Sequence, residues 1–152
     1  MGGPSRCGPT RLRLLNLSEP GSEQLCDVLA SAEIAAEAGI GSIADTDWLA
    51  AGRQAIDWLR ILVEISDIPA HKAAAAADEV LHRLDELSPT APRLLHGEGP
   101  ACWPLIAHAG TLGLPTRIGL EDTTVGPDGS AVRDNAELVQ LALQTRRAST
   151  AP

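Results

Sequence analysis

The sequence predicts an α/β fold built on a parallel sheet, and three observations carry that prediction. Five short segments rich in Leu, Ile and Val read as strands: Leu12 to Leu17, Ile34 to Ile40, Leu59 to Ile65, Arg93 to His96 and Thr116 to Leu120. Stretches with helical spacing separate them, and strands that alternate with helices pair in parallel because each crossover returns the chain to the same end of the sheet. The strand starts lie about 22 to 34 residues apart, close to the roughly 30-residue unit of a (β/α)8 barrel.

Two architectures accommodate such units. One is an incomplete parallel (β/α) barrel of TIM type, with about five of its eight units present. The other is an open doubly wound sheet, which five strands would complete. The second lacks a glycine-rich phosphate loop after its first strand, where Glu19, Pro20, Gly21 and Ser22 do not make G-x-G-x-x-G. Spacing alone leaves both open.

The helices are signalled in turn. Ser22 stands as a cap ahead of Leu25, Val28 and Leu29, and a short helix covers Ala44 to Ala51. The clearest runs from Pro69, which suits a first turn, to Leu87, with Val80, Leu81, Leu84 and Leu87 as one apolar stripe. Within it, Ala73 to Ala77 is good helix-forming sequence, small enough for close packing. Pro104 to Leu112 ends at Gly113, which tolerates the left-handed closing turn. Asp134 announces the last helix, with Glu137 three residues on as a capping box before Leu138, Leu141 and Ala142. These signals predict a flexible start at 1–10, a domain at 11–147 and a flexible tail at 148–152.

Composition narrows the function. With 44% hydrophobic and 21% charged residues in 152, the chain has enough apolar sequence for one core. A net charge of -8 argues against a nucleic-acid partner, since phosphate binding relies on clustered Lys and Arg. The same balance disfavours an anionic membrane surface, and no apolar run approaches the roughly 20 residues that span a bilayer. Met1 to Pro9 holds no apolar core of a secretory signal, so a cytoplasmic location is expected by default. Cys7, Cys26 and Cys102 lack paired spacing and read as reduced thiols. Trp48, Trp58 and Trp103, the only aromatics, read as packing residues at helix-strand contacts.

The most informative segment is Thr116 to Thr124, T-R-I-G-L-E-D-T-T. As a strand it places Ile118 and Leu120 on one face and Arg117, Gly119 and Glu121 on the other. Charges inside a covered parallel sheet are costly unless paired, ligand-bound or at a strand end. Glu121 and Asp122 fall at that end, where α/β enzymes place their sites. An ion pair that merely closes the sheet is the competing explanation.

Ordered along the chain are N-L-S-E-P-G at Asn16 to Gly21, A-E-A-G at Ala36 to Gly39, L-V-E at Leu62 to Glu64 and L-L-H-G at Leu94 to Gly97. R-I-G-L-E-D at Arg117 to Asp122 follows, then P-D-G and N-A-E-L-V within Pro127 to Val139. In these motifs the chain resembles the C-terminal portion of the β-keto acid cleavage enzymes, the family that includes 3-keto-5-aminohexanoate cleavage protein. R-x-G-L-E-D is the most distinctive of the set.

The resemblance implies a (β/α)8 barrel that binds zinc and exchanges acyl groups between a β-keto acid and acetyl-CoA, giving acetoacetate and a CoA ester. By that resemblance Glu121 is a metal ligand, Asp122 the general base and Arg117 its orienting cation, while Glu37 and Asn16 are candidate substrate contacts. The family takes two further zinc ligands from a His-x-His pair, which His71, His82, His96 and His108 do not form. The metal site is therefore expected to be incomplete, and the chain to be a truncated member that is inactive alone.

Of the four histidines, His71 and His82 are expected on a helix surface and His108 in a structural role on its helix. His96, at a strand end, is the one with a site-facing position, although a satisfied interior hydrogen bond is the favoured reading. Glu64, inside an apolar strand, either points into a barrel mouth or marks the strand end. Two other functional readings stand beside the enzyme. One is a non-catalytic interaction module whose open barrel edges pair with a second copy, as a homo-oligomer, or with a complementing barrel fragment. The other is an unrelated small α/β enzyme using Asp122 and His96.

Overall fold

The computed structural model describes residues 12–51, 58–87 and 89–150; the predicted flexible start at 1–10, Cys7 and the last tail residues, 151–152, lie outside the described residues. In chain order come β1 (Leu12–Asn16), α1 (Ser22–Ser31), β2 (Ala35–Ile40), α2 (Ile43–Ala50), β3 (Trp58–Ile65), α3 (Ala70–Leu87), β4 (Arg93–Gly97), α4 (Cys102–Leu112) and α5 (Asn135–Ser149). Among the described residues, four strands and five α-helices thus form where the sequence signals them.

Local chemistry explains the helix ends. The Ser42 side chain accepts from the Asp45 N–H, and the Asp45 carboxylate reaches back to the Ser42 N–H, a capping box that starts α2. Asp134 caps α5 by accepting from the Glu137 N–H at 2.9 Å. Gly113 closes α4 at φ 70°, a conformation that a side chain would strain. α5 continues to Ser149, two residues past Arg147.

The sheet is parallel throughout, in the sequential order β1-β2-β3-β4. Among the described strands there is no reversal of order of the kind that defines a doubly wound sheet. All four helices α1 to α4 pack on one face. Leu15, Ala38, Ile40, Ile61, Val63 and Leu95 meet Cys26 of α1, Trp48 and Leu49 of α2, Ala73, Ala77 and Leu84 of α3, and Leu105 and Ala109 of α4. The α3 stripe lies further towards the helix start than predicted. Ala73 and Ala77 are fully buried in it, whereas Leu87 is only partly so. α5 packs on α4 so closely that a Cβ on Gly110 would lie 2.5 Å from the Arg146 carbonyl oxygen.

Alternation puts Leu14, Asn16, Glu37, Gly39, Arg60, Leu62, Glu64, Leu94 and His96 on the opposite face. That face therefore holds Asn16, Glu37, Arg60, Glu64 and His96, while Arg13 and Arg93 fall on the other. Register stacks them in layers: Glu37 is level with Arg60, Asn16 with Gly39, and Glu64 with His96 at the carboxyl end.

The predicted fifth strand, Thr116 to Leu120, does not form, so the five-strand count is corrected to four among the described residues. The segment approaches β4 through one backbone bond, Leu95 N–H to the Pro115 carbonyl, at 3.0 Å. It then turns away at Gly119, whose backbone groups are used locally. The Gly119 N–H donates to Asp122 Oδ2 at 2.7 Å, and the Gly119 carbonyl accepts from the Asp122 N–H at 3.0 Å. A ladder would need those same groups. The predicted two-faced alternation is lost too: Ile118 packs with Cys102, Ile106 and Ala142 in a small second core, while Leu120 is exposed.

Candidate active site at the carboxyl end of the sheet

Two adjacent strands and one turn build the site. Glu64 of β3 and His96 of β4 stand in register at the last layer of the face opposite the helices. The turn after Pro115 brings Arg117 and Asp122 to them. Arg117 Nη2 donates to Glu64 Oε2 at 3.1 Å, and Asp122 Oδ1 lies 3.1 Å from His96 Nε2. The turn is tied down by the Gly99 N–H, which donates to the Asp122 carbonyl at 2.9 Å.

Asp122 is buried, and its Oδ2 is held by the Gly119 N–H. His96 is more unusual. It is 1% exposed, yet neither ring nitrogen makes a directed hydrogen bond. The 3.1 Å approach to Asp122 is an ion-pair distance, but the oxygen lies off the hydrogen-bonding direction. A satisfied interior hydrogen bond, the simplest expectation for this histidine, is therefore not what the structure contains.

Electrostatics here are crowded. Burial pushes the Glu64 carboxyl up, His96 pulls it back, Glu98 adds to the rise, Arg117 opposes it, and Asp122 contributes a smaller upward push. The Arg117 pair does not bring Glu64 down because the guanidinium is 40% exposed and its charge is screened. Cys102, buried nearby, has its thiol pushed up to about 12, first by burial and then by Asp122. It is a neutral packing group rather than a nucleophile.

The other predicted site residues lie apart from this centre. Glu37 is buried on the same sheet face but pairs with Arg60 towards the strand starts. Asn16 donates to Glu19 Oε1 at 2.8 Å at the exit of β1. Glu121 is exposed, and its carboxylate folds back over Gly119, where a Cβ would lie 2.2 Å from Oε2. Arg117 and Asp122 are brought together with Glu64 and His96; Glu121 is their chain neighbour without joining the cluster. A cleft of about 510 Å³ opens at the exit of β1, lined by Leu17, Ser18, Gly21, Ala44 and Trp48 among others, and contains none of the predicted site residues.

Glu98 and Arg60 carry only weak signals in the sequence. Glu98 directly follows the His96-Gly97 strand end, and its N–H is anchored on the Ile65 carbonyl at 3.2 Å. Its position beside a histidine that ends a strand was the available signal. Arg60 had one too, as a lone cation in an apolar run. The remaining histidines fall where expected. His71 and His82 are exposed on α3, and His108 of α4 joins Asp78 of α3 at 2.6 Å.

Among the described residues, one group of three metal-ligating side chains converges: Glu64, His96 and Glu98, with ligand atoms within 4.8 Å of one another. Glu121 does not belong to it. No helix among the described residues is long and apolar enough to cross a membrane.

Comparison with known proteins finds no match among curated proteins. Against known families, residues 62–151, more than half of the chain, match the beta-keto acid cleavage enzymes. That span takes in Glu64, His96, Arg117 and Asp122, the residues that the fold has gathered. The chain belongs to the β-keto acid cleavage enzyme family.

Proposed function

We propose that the chain carries the proton-transfer half of a site that exchanges acyl groups between a 3-keto acid and acetyl-CoA, releasing acetoacetate and a new CoA ester. One observation carries this reading beyond the family match. Asp122 is 5% exposed at the carboxyl end of a parallel sheet, with one oxygen fixed by a backbone N–H and the other against an imidazole. A carboxylate so placed is oriented to accept a proton from a carbon acid next to a ketone. Arg117, ion-paired with Glu64 beside it, supplies positive charge for a carboxylated substrate or for the enolate that forms.

Glu37 and Asn16 share the sheet face of Glu64 and His96 and are proposed as substrate contacts deeper in the same barrel interior. The sequential parallel sheet supports a partial (β/α) barrel, whose complete form puts such a face inside.

The zinc that the family resemblance implies would have Glu121 as its one ligand from this chain. A catalytic zinc takes three protein ligands, whereas Glu121 is exposed and outside the one converging group of ligand side chains among the described residues. We therefore read these residues as inactive alone, with the His-x-His ligands lying outside them. The test is to express it with the early strands of an intact family member, supply acetyl-CoA with a panel of 3-keto acids, and measure acetoacetate. Release by the pair and none by the chain alone is expected. No release by a pair that has assembled would remove the acyl-exchange reading.

A second reading, an interaction module that pairs through open edges, has its own observation. Among the described residues β1 pairs with β2 and with no other strand, and Leu14 is 40% exposed on the face away from the helices. Such an edge templates further strand pairing. Light scattering is expected to give a mass above that of one 15.9 kDa chain; a stable monomer across the micromolar range would exclude edge pairing.

A further inference from the structure

We propose that Glu64, His96 and Glu98 form a binding site for one first-row divalent cation, separate from Glu121. The three are held by different parts of the backbone that the fold fixes independently. Glu64 and His96 face each other in register across β3 and β4. Glu98 follows one residue beyond β4, at an extended φ of -111° that precedes the short 3-10 turn Gly99–Ala101, and its side chain does not cap that turn. The Glu98 carboxylate is thus left over from the local hydrogen bonding and lies half-buried beside the other two.

Gly97 makes this layout possible. A Cβ there would lie 2.6 Å from Leu105 Cδ1 and 2.8 Å from the Ala101 carbonyl oxygen, so only glycine lets the 3-10 turn fold back against the strand end.

The independent observation that points to a ligand is His96. Its imidazole is 1% exposed, and both nitrogens lack directed hydrogen bonds. Leaving a buried polar group without a directed hydrogen bond is destabilising, so such a ring is retained where it serves a ligand. Nε2 lies 4.0 Å from Glu64 Oε2, and the three ligand atoms lie within 4.8 Å of one another. In a tetrahedral shell, ligand atoms about 2.0–2.2 Å from one ion lie roughly 3.3–3.6 Å apart, so closure requires side-chain movements of up to about 1 Å.

The donor set selects the ion class. An imidazole nitrogen with two carboxylates suits zinc, cobalt or ferrous iron better than magnesium or calcium, which prefer all-oxygen shells. Charge agrees. Glu64, Glu98 and the adjoining Asp122 bring three carboxylates against one Arg117, whose exposed guanidinium is free to leave Glu64 for solvent when an ion arrives.

This site does not depend on the acyl-exchange reading, and cobalt separates the two. The purified chain, freed of metal by a chelator, is titrated with cobalt(II) alone and followed by calorimetry and by the visible absorption of the bound ion. One equivalent is expected to bind. Glu98→Gln, at a half-exposed position that should not disturb folding, is expected to weaken binding at least 10-fold, as is His96→Gln if circular dichroism shows it folded. Glu121→Gln is expected to leave binding unchanged. Failure of the folded chain to bind cobalt, or binding lost in Glu121→Gln and kept in Glu98→Gln, would overturn the proposal. The second outcome would instead place the ion at Glu121.

Discussion

Replacing Asp122 with Asn is expected to lower acetoacetate release by the complemented enzyme about 100- to 10,000-fold, the usual contribution of a general base. The substitution is close to isosteric, and the side-chain carbonyl can still accept the Gly119 N–H that the Asp122 carboxylate holds at 2.7 Å. What it removes is the basic lone pair that would take the substrate proton. Folding should survive, with an unchanged circular dichroism spectrum, while kcat falls. Because His96 Nε2 lies 3.1 Å from the carboxylate, the amide must turn either its oxygen or its NH2 towards the imidazole. The oxygen cannot serve both Gly119 and His96 well, so a small stability loss is also expected. Activity within about twofold of the parent would show that Asp122 orients rather than reacts, since loss of a base costs far more.

Leu84→Ala is expected to destabilise the chain by about 2–5 kcal/mol, a large fraction of the roughly 5–15 kcal/mol that holds a domain folded. Leu84 is fully buried on α3, in the stripe with Ala73, Ala77 and Val80, and packs against the helix-covered face of the sheet. The truncation removes apolar contacts and leaves a cavity that strands fixed in register cannot easily close. Leu112→Ala is the control: that side chain is 44% exposed at the end of α4 and should shift stability far less. Urea melts followed by far-ultraviolet circular dichroism read both. Equal midpoint shifts would mean that α3 is not seated on the sheet as described.

Much of the fold was legible in the residues because its determinants are local. A strand of alternating or continuous Leu, Ile and Val, a Ser or Asp before a helical stripe, and a Gly after it each act within a few residues. β1 to β4 and all five helices accordingly lie within two residues of their predicted limits at most ends. The Thr116 to Leu120 segment is the exception. Its apolar spacing matched a strand, but the Asp122 carboxylate captures the Gly119 N–H, and a short-range turn displaces pairing. A side chain that competes for backbone donors is invisible to periodicity.

The candidate site divides along the same line. Arg117 and Asp122 stood out because charge at a strand end is informative on its own, and Glu64 and His96 were noticed as polar residues in apolar strands. Their meeting was not legible, since β3, β4 and the following turn are separated by tens of residues.

The amino-acid sequence by itself determined an α/β chain with parallel pairing, the helix caps and the family to which R-I-G-L-E-D points, because each rests on short-range chemistry or on the order of motifs. Only the tertiary structure decided that Arg117 pairs with Glu64, that His96 is buried without a directed hydrogen bond, and that Glu98 rather than Glu121 completes the converging group. The physical reason is register. A one-residue slip between β3 and β4 would send Glu64 and His96 to opposite faces, and that slip is ruled out by the packing of the whole sheet against its helices.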